Sequence, residues 1–364
     1  MPTPRIALLA PLLTPGDAIT NDILGMYEAL ERSGYEARIY AAETDVQKPK
    51  VWHVSKINSF IRASTDILIY HYSIGWEPAL QLLRKKKFRR VVKYHNVTPP
   101  EFFAPWSEAY EIACRSGRAQ LHAIAQTDCD LYLSDSEYNM LELIEYGAQE
   151  SKSLALPPFH HIDRLSSLDA DLSVLNTYRD AKANILMVGR VAPNKGHASL
   201  IEAFAIYHRY YNQDSRLLIV GKEDKRLASY SVHLRERAAR LKVKDAVVFT
   251  GEVTDQELKA YYLLSNIFMI ASEHEGFCVP LVEAMAMKLP IVAYGSSAVP
   301  QTVDKAGLVW DEHNPHLLAE SANFLISDES LSSALGLMGL RRYERHFTNE
   351  KIEADFLEAL DRLR

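Results

Sequence analysis

An α/β fold with two doubly wound parallel sheets is predicted from three features of the chain. Short apolar runs alternate with longer amphipathic ones along its length, the pattern of strands connected by helices. Several runs are apolar on both faces, as parallel strands covered by helices must be. The runs fall into two series of five, too many for one compact Rossmann-like sheet, and 364 residues suffice for two separate cores.

The first series of strands is expected at 6–10, 37–40, 67–70, 91–94 and 131–134, the second at 185–188, 216–220, 246–250, 267–270 and 291–293. Helical periodicity separates them, for example at 22–33, 197–211, 230–241 and 255–264. The break between the halves is expected at 157–180, where Pro157-Pro158 disfavours helix and 163–180 is polar and weakly patterned. This sets an N-terminal domain at 1–164 and a C-terminal domain at 165–349, with an amphipathic helix over 350–364. In such sheets ligands bind beyond the carboxyl ends of the strands, and every motif singled out below follows a strand.

Composition excludes several function classes. The net charge of −6 argues against nucleic acid as a partner. Cys114, Cys129 and Cys278 are odd in number and far apart, with no zinc spacing and no disulfide framework, which fits a reducing compartment. No apolar stretch approaches the ~20 residues that cross a bilayer, and residues 1–17 read as a first strand and loop rather than a leader. A cytoplasmic protein is expected. The run Arg84-Lys85-Lys86-Lys87-Phe88-Arg89-Arg90 is the main basic patch and offers a peripheral contact with the anionic inner face of a membrane. Asp128-Cys129-Asp130 has the form of a metal-binding DxD, but it lies where a helix runs into a strand, without nucleotide-site features around it. No metal is expected.

Residues 272–288, SEHEGFCVPLVEAMAMK, carry the chemistry. Proline is favoured at a helix start, so a helix should begin near Pro280, with Glu283 in its first turn and Glu275 on the loop ahead. A helix N-terminus with free N–H groups attracts phosphate. Two acids beside it are suited to accepting hydrogen bonds from ribose or sugar hydroxyls. Upstream, Arg190 and Lys195 follow a strand, and both can neutralise developing negative charge without a metal.

EGFCVPLVEAM resembles the E-x7-E signature of family 4 retaining glycosyltransferases. ILMVGRVAPNKG at 185–196, TGEVTDQELKAYY at 250–262 and AYGSSAVPQTVDKAGLVW at 293–310 continue the resemblance in order. It implies a GT-B fold, two Rossmann-like domains facing a central cleft, with the last helix bracing the N-terminal domain. It further implies transfer of a hexose, mannose as a guess, from a nucleoside-diphosphate sugar to a glycan or lipid-linked acceptor in polysaccharide or lipopolysaccharide assembly. No cofactor is implied beyond the donor itself. Arg190 and Lys195 then stabilise the leaving diphosphate, Glu275 contacts the transferred sugar and Glu283 the ribose. The backbone N–H groups around Gly276, Phe277, Cys278 and Val279 face the distal phosphate. His95, in KYHNVTP after a strand, faces the donor sugar, with Asn96 beside it; His71, also at a strand end, is a weaker candidate. Gly16 occupies the loop where relatives carry paired glycines, and Gln301 stands where relatives often have Glu. No residue stands out as a covalent nucleophile, so front-face substitution is implied. The alternatives are a decayed sugar-nucleotide-binding protein, an epimerase or phosphorylase of the same fold, and a dinucleotide oxidoreductase, whose G-x-G-x-x-G is missing.

Overall fold

The computed structural model describes residues 4–180 and 182–363. The chain divides into two units. One comprises Met1–Pro100, Ile112–His161 and Thr348–Arg364, the other Glu101–Glu111 and Ile162–Phe347. Residues 1–3 and 364, which the expected domain bounds also included, lie outside the described residues.

The N-terminal unit is built on a seven-stranded parallel sheet. In chain order its strands are β1 (Arg5–Leu13), β2 (Glu36–Thr44), β3 (Val51–His53), β4 (Ile67–Tyr72), β5 (Arg89–Tyr94), β6 (Leu131–Ser134) and β7 (Ser153–Ala155), and across the sheet the order is β3-β2-β1-β4-β5-β6-β7. Side chains alternate between the faces. Ala7 and Leu9 of β1 enter a core with Leu121 and Ile124 of the helix Glu108–Ala125. Ile6, Leu8 and Ala10 enter a second core with Ile23, Met26 and Leu30 of the helix Ala18–Arg32. Ile352, Phe356, Ala359 and Leu360 of the last helix, Asn349–Asp361, complete that second core. Each fully buried aliphatic or aromatic side chain stabilises the unit by about 1.5–3 kcal/mol.

The C-terminal unit has a six-stranded parallel sheet. Its strands are β8 (Ala183–Val188), β9 (Ser215–Val220), β10 (Val247–Gly251), β11 (Ile267–Ile270), β12 (Ile291–Tyr294) and β13 (Gly307–Trp310), in the spatial order β10-β9-β8-β11-β12-β13. Strand order reverses between β1 and β4 in one unit and between β8 and β11 in the other. The crevice at such a reversal is where doubly wound sheets take their ligands.

The structure departs from the sequence reading at several elements. Three edge strands, β3, β7 and β13, were not expected; at three or four residues each they are too short to carry a period. The helix expected from residue 22 starts at Ala18, because Asp17 caps it by accepting from the N–H groups of Ile19 and Thr20. The weakly patterned 163–180 stretch holds two short helices, Ile162–Ser167 and Leu172–Tyr178. The helix near Pro280 runs from Val279 to Ala286, so Glu283 is its fifth residue and lies beyond the first turn.

Candidate active site

The loops after β8 and β11 meet at the strand-order reversal of the C-terminal unit. The carbonyl of Asn194 accepts from the N–H groups of Glu273 (2.9 Å) and His274 (3.2 Å), and its side-chain Nδ2 donates to the carbonyl of His274 (3.1 Å). Next to this staple is Gly196, at φ +63°, where a Cβ would lie 1.8 Å from the carbonyl oxygen of Ala271. Only glycine lets the two backbones come this close.

The staple sets Lys195 against Glu275. Lys195 Nζ is 2.8 Å from Oε1 and 2.7 Å from Oε2. Glu275 is 5% exposed, and a carboxylate so placed needs a paired cation. Burial disfavours the Lys195 ammonium, but the Glu275 carboxylate outweighs it, and the pKa is raised above the usual lysine range. The loop beyond is fixed from the other side. Glu275 N–H donates to Ser297 Oγ (3.3 Å), and Thr302 Oγ1 donates to the carbonyl of Phe277 (3.0 Å).

Among the described residues, no hydrogen bond takes the backbone N–H of Gly276, Phe277, Cys278 or Val279. Cys278 sits in the left-handed region at φ 71° and leads into the helix Val279–Ala286. Its thiol is buried, and burial together with Glu275 raises its pKa well above the ordinary value, so it stays protonated and unreactive. Glu283 is buried and accepts a 2.6 Å hydrogen bond from Tyr262 Oη. Arg190, on the loop after β8, is exposed and donates Nη1 to Tyr110 Oη at 3.1 Å.

His197, two residues past Lys195, is fully buried. Burial pushes its pKa down to about 4. The native state therefore keeps it neutral while the unfolded chain takes up a proton below the ordinary value of 6.5. Its contribution to stability is complete above pH 6.5 and is lost as pH falls towards 4. His197→Leu is expected to flatten the acid limb of a stability–pH curve by about 1.4 kcal/mol per pH unit in that window. Denaturant midpoints at pH 7 and pH 4.5 measure this, and an unchanged acid limb would remove His197 from the account.

The remaining candidates lie in the N-terminal unit. His95 Nδ1 is 2.9 Å from Asp135 Oδ2, and His95 Nε2 is 2.9 Å from His71 Nδ1, so both ring nitrogens have protein partners. Lys93 Nζ pairs with Asp135 Oδ1 at 2.6 Å. Asp22 Oδ2 lies 3.5 Å from His71 Nδ1 and 3.6 Å from His95 Nε2. Burial raises the Asp22 pKa and lowers that of His71 well below its usual value. Among the described residues, Asp22, His71 and His95 form a group whose ligand atoms are close enough together to hold a metal ion. His71 lies within β4, not after it. Asn96, at φ 76°, is buried and donates Nδ2 to Asn139 Oδ1 (2.9 Å), which ties it into the fold. Gly16, at φ +82°, has open space around it and turns the chain from β1 into the capped helix.

The Asp128 and Asp130 carboxylates are taken up by cations: Asp128 pairs with Lys152 (2.6 Å) and Asp130 with Arg89 (3.1 Å). The basic run is also partly spent within the protein. Arg84 reaches Glu77 (3.5 Å), Lys86 reaches Asp128 (3.9 Å), and buried Arg90 donates to the carbonyls of Leu83, Thr127 and Asp128. No helix among the described residues is long and apolar enough to cross a membrane.

Two contributors, Ser297 and Tyr110, carry no signal in the sequence. Each reaches its partner across a sequence gap, 22 residues for Ser297 and 80 for Tyr110.

Solved structures decide the architecture. Sucrose-phosphate synthase from Thermosynechococcus elongatus matches with a TM-score of 0.78 and 18% identity, covering 99% of both chains. Anabaena Alr3699/HepE, solved in complex with UDP and glucose, matches with a TM-score of 0.78 and 16% identity, covering 98% of this chain and 99% of that one.

The fold is GT-B.

Within the GT-B chain, residues 176–339 match the family model described as Glycosyl transferases group 1. The mannosylfructose-phosphate synthase of Agrobacterium fabrum is 28% identical over 180 residues, which are 48% of this chain and 40% of that protein. The GDP-mannose-dependent alpha-(1-6)-phosphatidylinositol monomannoside mannosyltransferase of Mycobacterium tuberculosis is 30% identical over 195 residues, 50% of this chain and 49% of that one. The chain thus spans about half or less of the length of these curated relatives.

Proposed function

We propose that this protein is a retaining glycosyltransferase of family 4 that moves a hexose from a nucleoside-diphosphate sugar to a glycan or lipid-linked acceptor. The observation that carries the reading is the Lys195–Glu275 pair at the strand-order reversal of the C-terminal unit, beside free backbone N–H groups. The buried carboxylate is matched by the chain's own ammonium. Arrival of the donor replaces that match with two others. Lys195 and Arg190 turn to the diphosphate, where negative charge grows as the glycosidic bond breaks. Glu275 is released to accept hydrogen bonds from hydroxyls of the transferred sugar. The N–H groups of residues 276–279 cradle the distal phosphate, and Glu283, oriented by Tyr262, accepts from the ribose.

Acceptor contact is assigned to the N-terminal unit. There His95, oriented by Asp135, would exchange its His71 hydrogen bond for a sugar hydroxyl. Cys278 is protonated, and Glu275 passes from Lys195 to hydroxyls of the transferred sugar, so neither is set up as a nucleophile, which supports front-face substitution. The reaction is proposed to need no metal, since Arg190 and Lys195 supply the charge.

GDP-mannose is the first donor to test, because the mycobacterial relative that shares this half is named for it. UDP-glucose is the second, given the ligands of the Anabaena structure. A thermal-shift panel of UDP-, GDP- and dTDP-sugars is expected to single out one nucleotide, since a ligand at ~100 times its Kd adds ~2.7 kcal/mol. Product analysis with the stabilising donor should then show the anomeric configuration kept. Stabilisation by none of them would sink the reading. Stabilisation without turnover would favour the decayed binding protein.

A further inference from the structure

The geometry points to Tyr110 as a positioning residue that orients Arg190 for a diphosphate while leaving its charge available. This rests on the diphosphate reading above. Tyr110 belongs to Glu101–Glu111, the short stretch that the chain contributes to the C-terminal unit well before the rest of that unit.

The stretch is anchored by aromatic contacts. Phe103, itself buried, stacks on Tyr110 with ring centroids 5.0 Å apart. Trp106 meets Tyr230 and His233, each at 5.1 Å. Ser229 Oγ donates to the carbonyl of Trp106 at 3.4 Å. These contacts hold the Tyr110 ring in one place. Its hydroxyl then has three partners. It donates to Asp224 Oδ2 (2.5 Å) and accepts from Arg190 Nη1 (3.1 Å) and Arg226 Nη2 (2.8 Å). Both guanidiniums also lie over the ring, Arg226 at 4.5 Å and Arg190 at 5.4 Å from its centroid.

The two arginines differ in their counter-charges. Arg226 has a carboxylate, Asp224 Oδ2 at 2.7 Å. Among the described residues, Arg190 has none: its partner is a neutral phenol and the face of a ring. Burial and the hydrogen bond to Asp224 raise the Tyr110 pKa, so the phenol stays neutral. A carboxylate in its place would orient Arg190 equally well but would compete with phosphate for its charge. A neutral acceptor fixes the fork and leaves its remaining N–H groups and its full charge for an incoming anion. Lys195 is the contrast, since its ammonium is already matched by Glu275.

The test is a double-mutant cycle. Binding of inorganic pyrophosphate, UDP and GDP is measured by calorimetry for the wild type, Tyr110→Phe, Arg190→Ala and the double variant, together with turnover of the preferred sugar nucleotide. Phenylalanine keeps the ring faces, and the unfolding midpoint of Tyr110→Phe reports that the fold is retained. Tyr110→Phe is expected to weaken pyrophosphate binding about tenfold, the worth of one hydrogen bond to a charged group. In the Arg190→Ala background the same change should cost less than about twofold, a coupling that a merely structural role would not produce. An equal loss in both backgrounds, no loss in either, or no pyrophosphate binding by the wild type overturns the inference. Coupled pyrophosphate binding without turnover of any sugar nucleotide would leave Tyr110 in its role and remove the transferase reading. Turnover without coupling would do the reverse.

Discussion

Lys195→Ala is expected to lower turnover of the sugar nucleotide by about two to three orders of magnitude, since one well-placed donor to developing charge is worth ~3–4 kcal/mol in the transition state. The same change strands Glu275, which is 5% exposed and takes both of its short contacts from Lys195. Removing one member of a buried pair costs about 3–5 kcal/mol when burial is complete, and about 2–3 kcal/mol is expected here because the lysine side chain keeps 21% of its exposure. The two effects are separable. Adding Glu275→Gln removes the stranded charge and should recover most of the lost stability in a denaturant titration, while turnover stays low because no cation returns. Wild-type turnover by Lys195→Ala would take the residue out of the mechanism. A double variant no more stable than the single one would mean that the pair does not hold the two loops together.

Gly196→Ala should unfold or severely weaken the C-terminal unit, by about 3–4 kcal/mol, through a combination of strain and overlap. A side chain at φ +63° is strained in itself, and a Cβ would stand 1.8 Å from the carbonyl oxygen of Ala271, which is backbone and cannot rotate away. The loop would have to retreat from β11. The hydrogen bonds from Glu273 and His274 to Asn194 would then lengthen, and Lys195 would withdraw from Glu275. Turnover should fall with stability, and nucleotide stabilisation should vanish. Gly16→Ala is the control: its φ of +82° is also strained, but nothing lies within 4 Å, so strain alone should be felt there. Similar losses at both positions would show that close approach of the loops is not what Gly196 provides.

The two sheets were legible because several central parallel strands are apolar on both faces, and ten apolar runs stand out between amphipathic stretches. The helix 255–264 was also read with its observed bounds, since Thr254 and Glu257 form a capping box that fixes its start. The edge strands β3, β7 and β13 left no such mark. β13 is half-exposed, and β3 and β7 have three residues each. Within the site, the residue types after each strand were readable, but their pairing was not. Lys195 and Glu275 are 80 residues apart, and no local pattern says that a proposed phosphate ligand and a proposed sugar ligand neutralise each other. His95 is similar: its place after β5 follows from the sequence, whereas the engagement of both ring nitrogens by Asp135 and His71 depends on three strands lying side by side.

The terminal helix Asn349–Asp361 has a consequence for the order of events during synthesis. Most of the N-terminal unit leaves the ribosome before the C-terminal unit, yet Ile352, Phe356, Ala359 and Leu360 fill one of its two cores and follow the whole of that second unit in the chain. Its sheet can pair early, but the part of one face beyond the helix Ala18–Arg32 stays open to water until Asn349–Asp361 is released. That face is the surface through which a nascent chain would stick to its neighbours or recruit a chaperone. The half of the molecule translated first is therefore the half that must wait.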